Sequence, residues 1–216
     1  MALVTKVVQQ KRRPNRSNVY IDGRFAFGCS TNVVAKFRLR EGLELSEGQI
    51  EAIRRGEVFQ ECFDEALDYL GRRLHSRVEL NRKLIRSGGD EMIVKEVLDE
   101  LERLGYVNDE RFAKTKALSA AEHKQHGRRR AMAELMKAGV GRQVAEKALD
   151  DVYEQTDSTA LARQLAQKQA ARLRRLDPQV ARRRLAGMLQ RRGFDYDAIK
   201  PVIDEVLGKK EEDRNE

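Results

Sequence analysis

Three stretches, Leu84-Ile85-Arg86-Ser87-Gly88, Leu135-Met136-Lys137-Ala138-Gly139 and Leu189-Gln190-Arg191-Arg192-Gly193, each place a leucine four residues before a glycine. Beyond each glycine apolar residues return at matching offsets, with Leu98, Leu149 and Ile203 ten residues on and Leu101, Val152 and Val206 thirteen on. The glycines are 51 and 54 residues apart. A period near 50 residues is the signature of one supersecondary unit copied in tandem. Such units usually present an extended surface to a long partner and seldom enclose a catalytic pocket. The pattern points to a binding protein.

Outward from the glycines, the chain reads as helices in threes. In the first unit Phe63, Ala66, Leu67, Leu70 and Leu74 mark helix one, and Ser76-Arg77-Val78-Glu79 opens helix two as a capping box. Asp90 caps helix three, whose Ile93, Val97, Leu98, Leu101 and Leu104 follow helical spacing until Gly105 ends it. At the junction with the next unit, Tyr106 is expected to fill the seam, with Asn108 or Asp109 as the next N-cap. The second unit has Gly127 before its second helix, and in the third Asp177-Pro178 supplies N-cap and first-turn proline. The longer third period is expected to lengthen helix one or the loop before Asp177.

Residues 3–28 differ. Asp22-Gly23 between Val19-Tyr20-Ile21 and Arg24-Phe25-Ala26-Phe27 is a hairpin signal. With β-prone Val4 to Gln10 and the turn Lys11-Arg12-Arg13-Pro14-Asn15 it predicts a three-stranded meander, too small to stand without a helix beside it. Two short helices follow, one capped by Ser30 or Thr31 and one starting at Ser46. The fold class is therefore mainly α: three tandem three-helix repeats, about nine helices, preceded by a small β-meander and two short helices. The expected segments are 1–58, then repeats over 59–108, 109–156 and 157–208, and a frayed charged tail over 209–216.

Composition agrees. Of 216 residues 36% are charged and 6% aromatic, with three prolines and no tryptophan, a profile that favours helices over a β-sandwich. A net charge of +8 suggests an acidic partner, most often nucleic acid, with a merely solvated surface as the alternative. The surplus lies at the two ends: residues 1–60 carry 11 basic and 6 acidic groups, as do residues 157–207. Two cysteines fit a reducing cytoplasm rather than a disulfide framework, and neither a signal-peptide core nor a membrane-length apolar run is present.

Basic clusters recur at one place in each unit. The candidate contact residues are Arg72, Arg73, Arg77 and Arg82 in the first, Lys124, Arg128, Arg129 and Arg130 in the second, and Arg174, Arg175, Arg182, Arg183, Arg184 and Arg191 in the third. On the last helix Leu185, Met188 and Leu189 form the buried stripe, which directs Arg183 to the opposite side. Arginine outnumbers lysine there, suiting bidentate contact with phosphate or carboxylate. Aromatic interleaving is almost absent, which argues against base stacking of the kind single-strand platforms use. His75, His123, His126, Cys29 and Cys62 match no closed zinc site, no phosphate-cradling glycine loop is present, and no nucleophile stands in a catalytic setting. Neither cofactor nor metal is expected, and an enzyme is the least favoured reading.

Three runs together resemble the RecX family: Ser76-x-x-Glu79-Leu80-x-x-Lys83-Leu84, Gly105-Tyr106-Val107-Asn108-Asp109-x-x-Phe112-Ala113, and Gly127-x-x-Arg130-x-x-x-Glu134-Leu135-x-x-x-Gly139-Val140. The N-terminal Val19-Tyr20-Ile21-Asp22-Gly23-x-Phe25-Ala26-Phe27-Gly28 is similar to the leading segment of its longer members, and Arg128 stands where many members carry proline. The resemblance runs from about residue 4 to 207 and weakens in the third unit, where Gly193-Phe194 and Ile199 are the main matches. It implies tandem three-helix repeats in a curved, modular body. It also implies a negative regulator of the RecA recombinase, binding the RecA–single-stranded-DNA filament and blocking its growth, ATP hydrolysis, strand exchange and co-protease activity, hence recombination, repair and the SOS response. A monomer without a membrane is expected. The alternative from the residues is a direct DNA-binding protein with helix-turn-helix-like units.

Overall fold

The computed structural model describes residues 1–208, so the charged tail expected over 209–216 lies outside the described residues. Four strands and ten helices follow in the order β1 (Ala2–Gln9), β2 (Arg16–Ile21), β3 (Arg24–Ser30), α1 (Thr31–Lys36), β4 (Glu44–Leu45), α2 (Glu47–Arg72), α3 (Arg77–Arg86), α4 (Glu91–Arg103), α5 (Asp109–Glu122), α6 (Arg128–Lys137), α7 (Arg142–Tyr153), α8 (Ser158–Leu173), α9 (Pro178–Arg191) and α10 (Tyr196–Leu207). The mainly helical class expected from the sequence is the class found. The chain divides into two compact units: residues 1–74 with 80–106, and residues 75–79 with the chain from 107 onward.

In the first unit the meander is an antiparallel sheet of order β3-β2-β1-β4, four strands rather than three. The fourth is a two-residue strand, and sequence reading passes over it because Glu44-Leu45 carries no run long enough to show alternation. One sheet face, with Val4, Val19 and Cys29, packs with Val33, Leu39, Leu45 and Ile53 into an apolar core, which gives the small sheet the helical support it needs.

The second short helix expected at Ser46 and helix one of the first repeat are a single helix, α2, of 26 residues, and the expected boundary between 58 and 59 falls inside it. Its start follows expectation, since Ser46 and Gln49 form a reciprocal capping box. The helix continues through Gly56, a point of close approach where a Cβ would stand 2.8 Å from the ring of Phe37. An internal glycine costs a helix about 1 kcal/mol, and here that opening admits an aromatic ring. α4 packs against α2, burying Ile93, Val94, Val97, Leu98 and Leu101.

In the second unit α5 packs against α7 and α6, and α8 against α10 and α9. Asn108 caps α5 through its side-chain oxygen and the Arg111 N–H, 2.8 Å. Tyr106 does not fill a seam; it is 54% exposed, and the following Val107 is the buried residue. The longer third period is taken up in both helices, α8 and α9 having 16 and 14 residues against 14 and 10 in α5 and α6. Ala162, Leu165, Leu185, Leu189, Phe194, Ile199 and Val202 form the core of the third repeat.

Candidate functional site

The leucine–glycine repeat has a single stereochemical cause. Gly88, Gly139 and Gly193 all have positive φ, and the residue after each donates its N–H to the carbonyl of the leucine five positions earlier: Gly89 to Leu84 at 2.9 Å, Val140 to Leu135 at 3.1 Å and Phe194 to Leu189 at 3.2 Å. This is the Schellman stop, in which a left-handed residue turns the chain while the last helical carbonyls stay satisfied. The three leucines are fully buried.

Two of these stops are also joints. The Ser76 hydroxyl, at the start of α3, donates to the Ala138 carbonyl at 2.6 Å, and the Gly127 N–H, at the start of α6, donates to the Arg192 carbonyl at 2.8 Å. Each carbonyl immediately precedes a glycine of the repeat. Side chains are excluded from both joints: a Cβ on Gly139 would lie 2.5 Å from Val78, and one on Gly127 2.2 Å from the Gly193 carbonyl. Asp109 adds a second tie at the first joint, accepting the Arg77 N–H at 2.8 Å.

The second joint gathers Lys124, Arg128, Arg129, Arg130 and Arg191 of the predicted residues, and most of them are engaged there. Arg128 pairs with Asp150 of α7 and Arg129 with Asp195, each at 2.5 Å, while Arg130 donates to the Arg191 carbonyl at 3.0 Å. Lys124 pairs with Glu134 at 2.8 Å, and Arg192 returns a bond to the Lys124 carbonyl at 2.8 Å. Beneath them His126 is buried with its Nδ1 3.1 Å from Glu134, and its carbonyl accepts the Tyr153 hydroxyl at 2.7 Å. Burial pushes the His126 imidazole below its ordinary value, against the opposing pull of Glu134. Burial alone would raise the Glu134 carboxyl, but the bond and charge of Lys124 and the charge of His126 outweigh it and hold the group below the usual range. Tyr153 is pushed up to about 12 by burial and remains a hydrogen-bond donor.

The third repeat sorts its arginines differently. Arg174 donates to the Val206 carbonyl at 3.0 Å, and Arg182 binds both Asp204 and the Gly208 carbonyl, so these two cap the C-terminal end of α10, where positive charge is favoured. Arg175, Arg183, Arg184 and Arg191 are exposed, and among the described residues their guanidinium groups have no hydrogen-bond or ion-pair partner. Beside Arg183 a groove of about 380 Å³ between α9 and α10 is lined by Lys200, Ile199, Ile203 and Tyr196. Sequence reading missed Tyr196 and Lys200, which lie outside the arginine runs and reach Arg183 only through the packing of α10 on α9.

In the first repeat Arg72 and Arg82 are exposed, on α2 and α3 respectively, and Arg77 is half-buried at the start of α3. Arg73, exposed at the end of α2, turns back to the Leu74 carbonyl at 2.8 Å. Among the described residues no group of three or more His, Cys, Asp or Glu side chains is placed to hold a metal ion, and no helix is long and apolar enough to cross a membrane.

Comparison with known proteins covers the chain in the same order. Family models match the Regulatory protein RecX N-terminal domain over residues 2–46 and the first, second and third RecX three-helix domains over 62–101, 108–149 and 155–203. A Clostridioides difficile protein named Regulatory protein RecX is 30% identical over 96% of this chain and 97% of its own length. The chain belongs to the RecX family. A Bacillus subtilis member of the same name is 28% identical over 99% of this chain and 80% of its own length. A crystal structure of a regulatory protein RecX superposes with a TM-score of 0.79 at 26% identity, covering 94% of this chain and all of that one. RecX from Lactobacillus salivarius shares the fold, with a TM-score of 0.60 over 70% of this chain.

Proposed function

We propose that this RecX-family chain is a negative modulator of the RecA recombinase. It binds the RecA–single-stranded-DNA filament, in its groove or at its end, and inhibits filament extension, ATP hydrolysis, strand exchange and co-protease activity. It acts as a cytoplasmic monomer that binds rather than catalyses. The observation that carries this reading is a set of exposed arginines on the third repeat, Arg175, Arg183, Arg184 and Arg191, that have no partner among the described residues, in a chain built of equivalent units. A filament repeats one protomer along its axis, so a protein of repeats can meet successive protomers with equivalent faces. Each exposed ion pair contributes only about 0.2–1 kcal/mol, and several on one pre-organised surface add to useful affinity. The clusters Arg128, Arg129, Arg130 and Arg182, Arg183, Arg184 remain the proposed contacts. Arg183 and Arg184 have no partner among the described residues, whereas Arg128, Arg129 and Arg182 would exchange an internal carboxylate for an external one.

Duplex reading by helix-turn-helix-like units is the rival, and the third helices speak against it. α4 carries Glu96, Asp99, Glu100 and Glu102, α7 carries Glu146, Asp150 and Asp151, and α10 carries Asp197, Asp204 and Glu205. A helix entering a groove lined by phosphates is normally basic or polar. The test is co-sedimentation with RecA filaments preassembled on single-stranded DNA, beside bare duplex at the same salt. Retention by filaments with weak duplex binding supports the proposal, and tight salt-sensitive duplex binding without filament retention overturns it.

A further inference from the structure

The face of the N-terminal sheet turned away from its core carries a distinct set of groups. Lys6, Tyr20 and Phe25 stand in register across β1, β2 and β3, and the two rings meet edge to face with centroids 5.9 Å apart. Phe25 is 59% exposed, which leaves one edge of the aromatic pair open to solvent. In the neighbouring row the Gln10 amide donates to the Asn18 side chain at 2.7 Å, and Gly28 lies beside that pair with no side chain of its own. The strands then lead into the β1–β2 turn, where Lys11, Arg12 and Arg13 are exposed and their side chains have no partner among the described residues.

This segment is one of the two basic ends of the chain. Residues 1–40 hold nine lysines and arginines and a single carboxylate, Asp22, which accepts the Leu3 N–H in the hairpin. That excess equals the formal net charge of the whole chain, +8. An open sheet face with an exposed ring, paired side-chain amides and a basic loop at one end is suited to an unpaired nucleic-acid strand. Bases have π-faces that stack on aromatics, and their phosphates follow positive charge. A duplex hides those faces, and an acidic protein surface would leave Phe25 without a stacking partner.

We propose that the solvent-facing side of this sheet binds single-stranded nucleic acid, with a base stacked on Phe25 beside Tyr20 and the adjoining phosphates running from Lys6 to Lys11, Arg12 and Arg13. The five residues from Lys6 to Lys11 span ~17 Å of extended chain, room for a few nucleotides. The site is independent of the RecA reading, because it requires no filament and lies outside the three-helix repeats.

Fluorescence anisotropy of a labelled oligothymidylate, titrated with the full chain at low salt and without RecA, tests it. Phe25→Ala is expected to weaken binding about tenfold, the loss of one stacked base. Phe25→Trp retains binding and, since the chain has no tryptophan, reports stacking directly through quenching of its emission. Reversing Lys11, Arg12 and Arg13 to glutamate lowers the slope of log affinity against log salt by about two, at ~0.7 per phosphate contact for single strands. All these positions are exposed, and an unchanged melting curve shows that the fold is kept. The proposal is overturned if the oligonucleotide does not bind, if it binds equally to the Phe25→Ala and charge-reversed proteins, or if the tryptophan is not quenched at saturation. Binding of polyglutamate in place of the oligonucleotide would make the face an acidic-protein surface and equally overturn it. Any of these results leaves filament inhibition to stand or fall on its own assay.

Discussion

Gly88 and Gly193 have nearly the same backbone, φ +101° and +85°, in very different surroundings. A Cβ on Gly88 meets nothing within 4 Å, whereas one on Gly193 would lie 2.3 Å from the backbone nitrogen of Arg130. Gly88→Ala should therefore cost only the left-handed strain, about 1–2 kcal/mol, and Gly193→Ala clearly more, since backbone must move at the second joint. Thermal melts of the two variants check this, and equal losses would remove the joint from the account. The cysteines give a second residue-scale prediction. Burial pushes Cys29 up to about 11 and Cys62 upward as well, so neither is an available thiolate near neutral pH. A thiol-specific reagent at pH 8 should find almost no reactive sulfur in the native protein and both cysteines in denaturant. The leucine–glycine stops were legible in the sequence because their cause is local, within six residues. The ion pairs of Arg128, Arg129 and Arg182 were not, because each partner lies more than twenty residues away along the chain and the runs gave no sign of which arginine would turn inward.

At the scale of elements, the repeats were readable wherever caps and apolar spacing agreed. Asp90, Asn108 and Asp177 cap the helices expected of them. The reading failed at α2, where the boundary expected between residues 58 and 59 falls inside one continuous helix, and at β4, too short for any periodic signal. The joint between α6 and α9 carries a pH dependence whose direction is fixed. The folded protein holds His126 below the ordinary 6.5, so as pH falls through that value the unfolded chain gains a proton that the folded one resists. Stability of this unit is complete above about 6.5 and declines below it, with Glu134 adding a further loss once the pH falls below the usual carboxylate range. Denaturant melts between pH 7.5 and 5 should show the decline, and His126→Gln should flatten it. The two roles of neighbouring α9 arginines also separate here: Arg182→Ala removes a cap from α10 and lowers the melting temperature, whereas Arg183→Ala leaves it unchanged.

For the whole molecule, the basic balance that first suggested an acidic partner is divided among different tasks. Part of it braces the joint between the second and third repeats, part caps α10, and part, on the third repeat and the N-terminal sheet, has no partner among the described residues. Only that last part is open to a partner without breaking an internal bond. Reversing Arg175, Arg183 and Arg184 to glutamate should leave the fold intact and raise the concentration needed for inhibition about tenfold, as expected for three contacts of about 0.2–1 kcal/mol each together with new repulsion. The most direct test of the central claim is the ATPase rate of RecA on single-stranded DNA with this protein titrated in below the RecA concentration. Strong inhibition is expected at substoichiometric ratios, weakened by the triple charge reversal. Inhibition that appears only when the protein is sufficient to coat the DNA, or that the reversed protein matches, would contradict it.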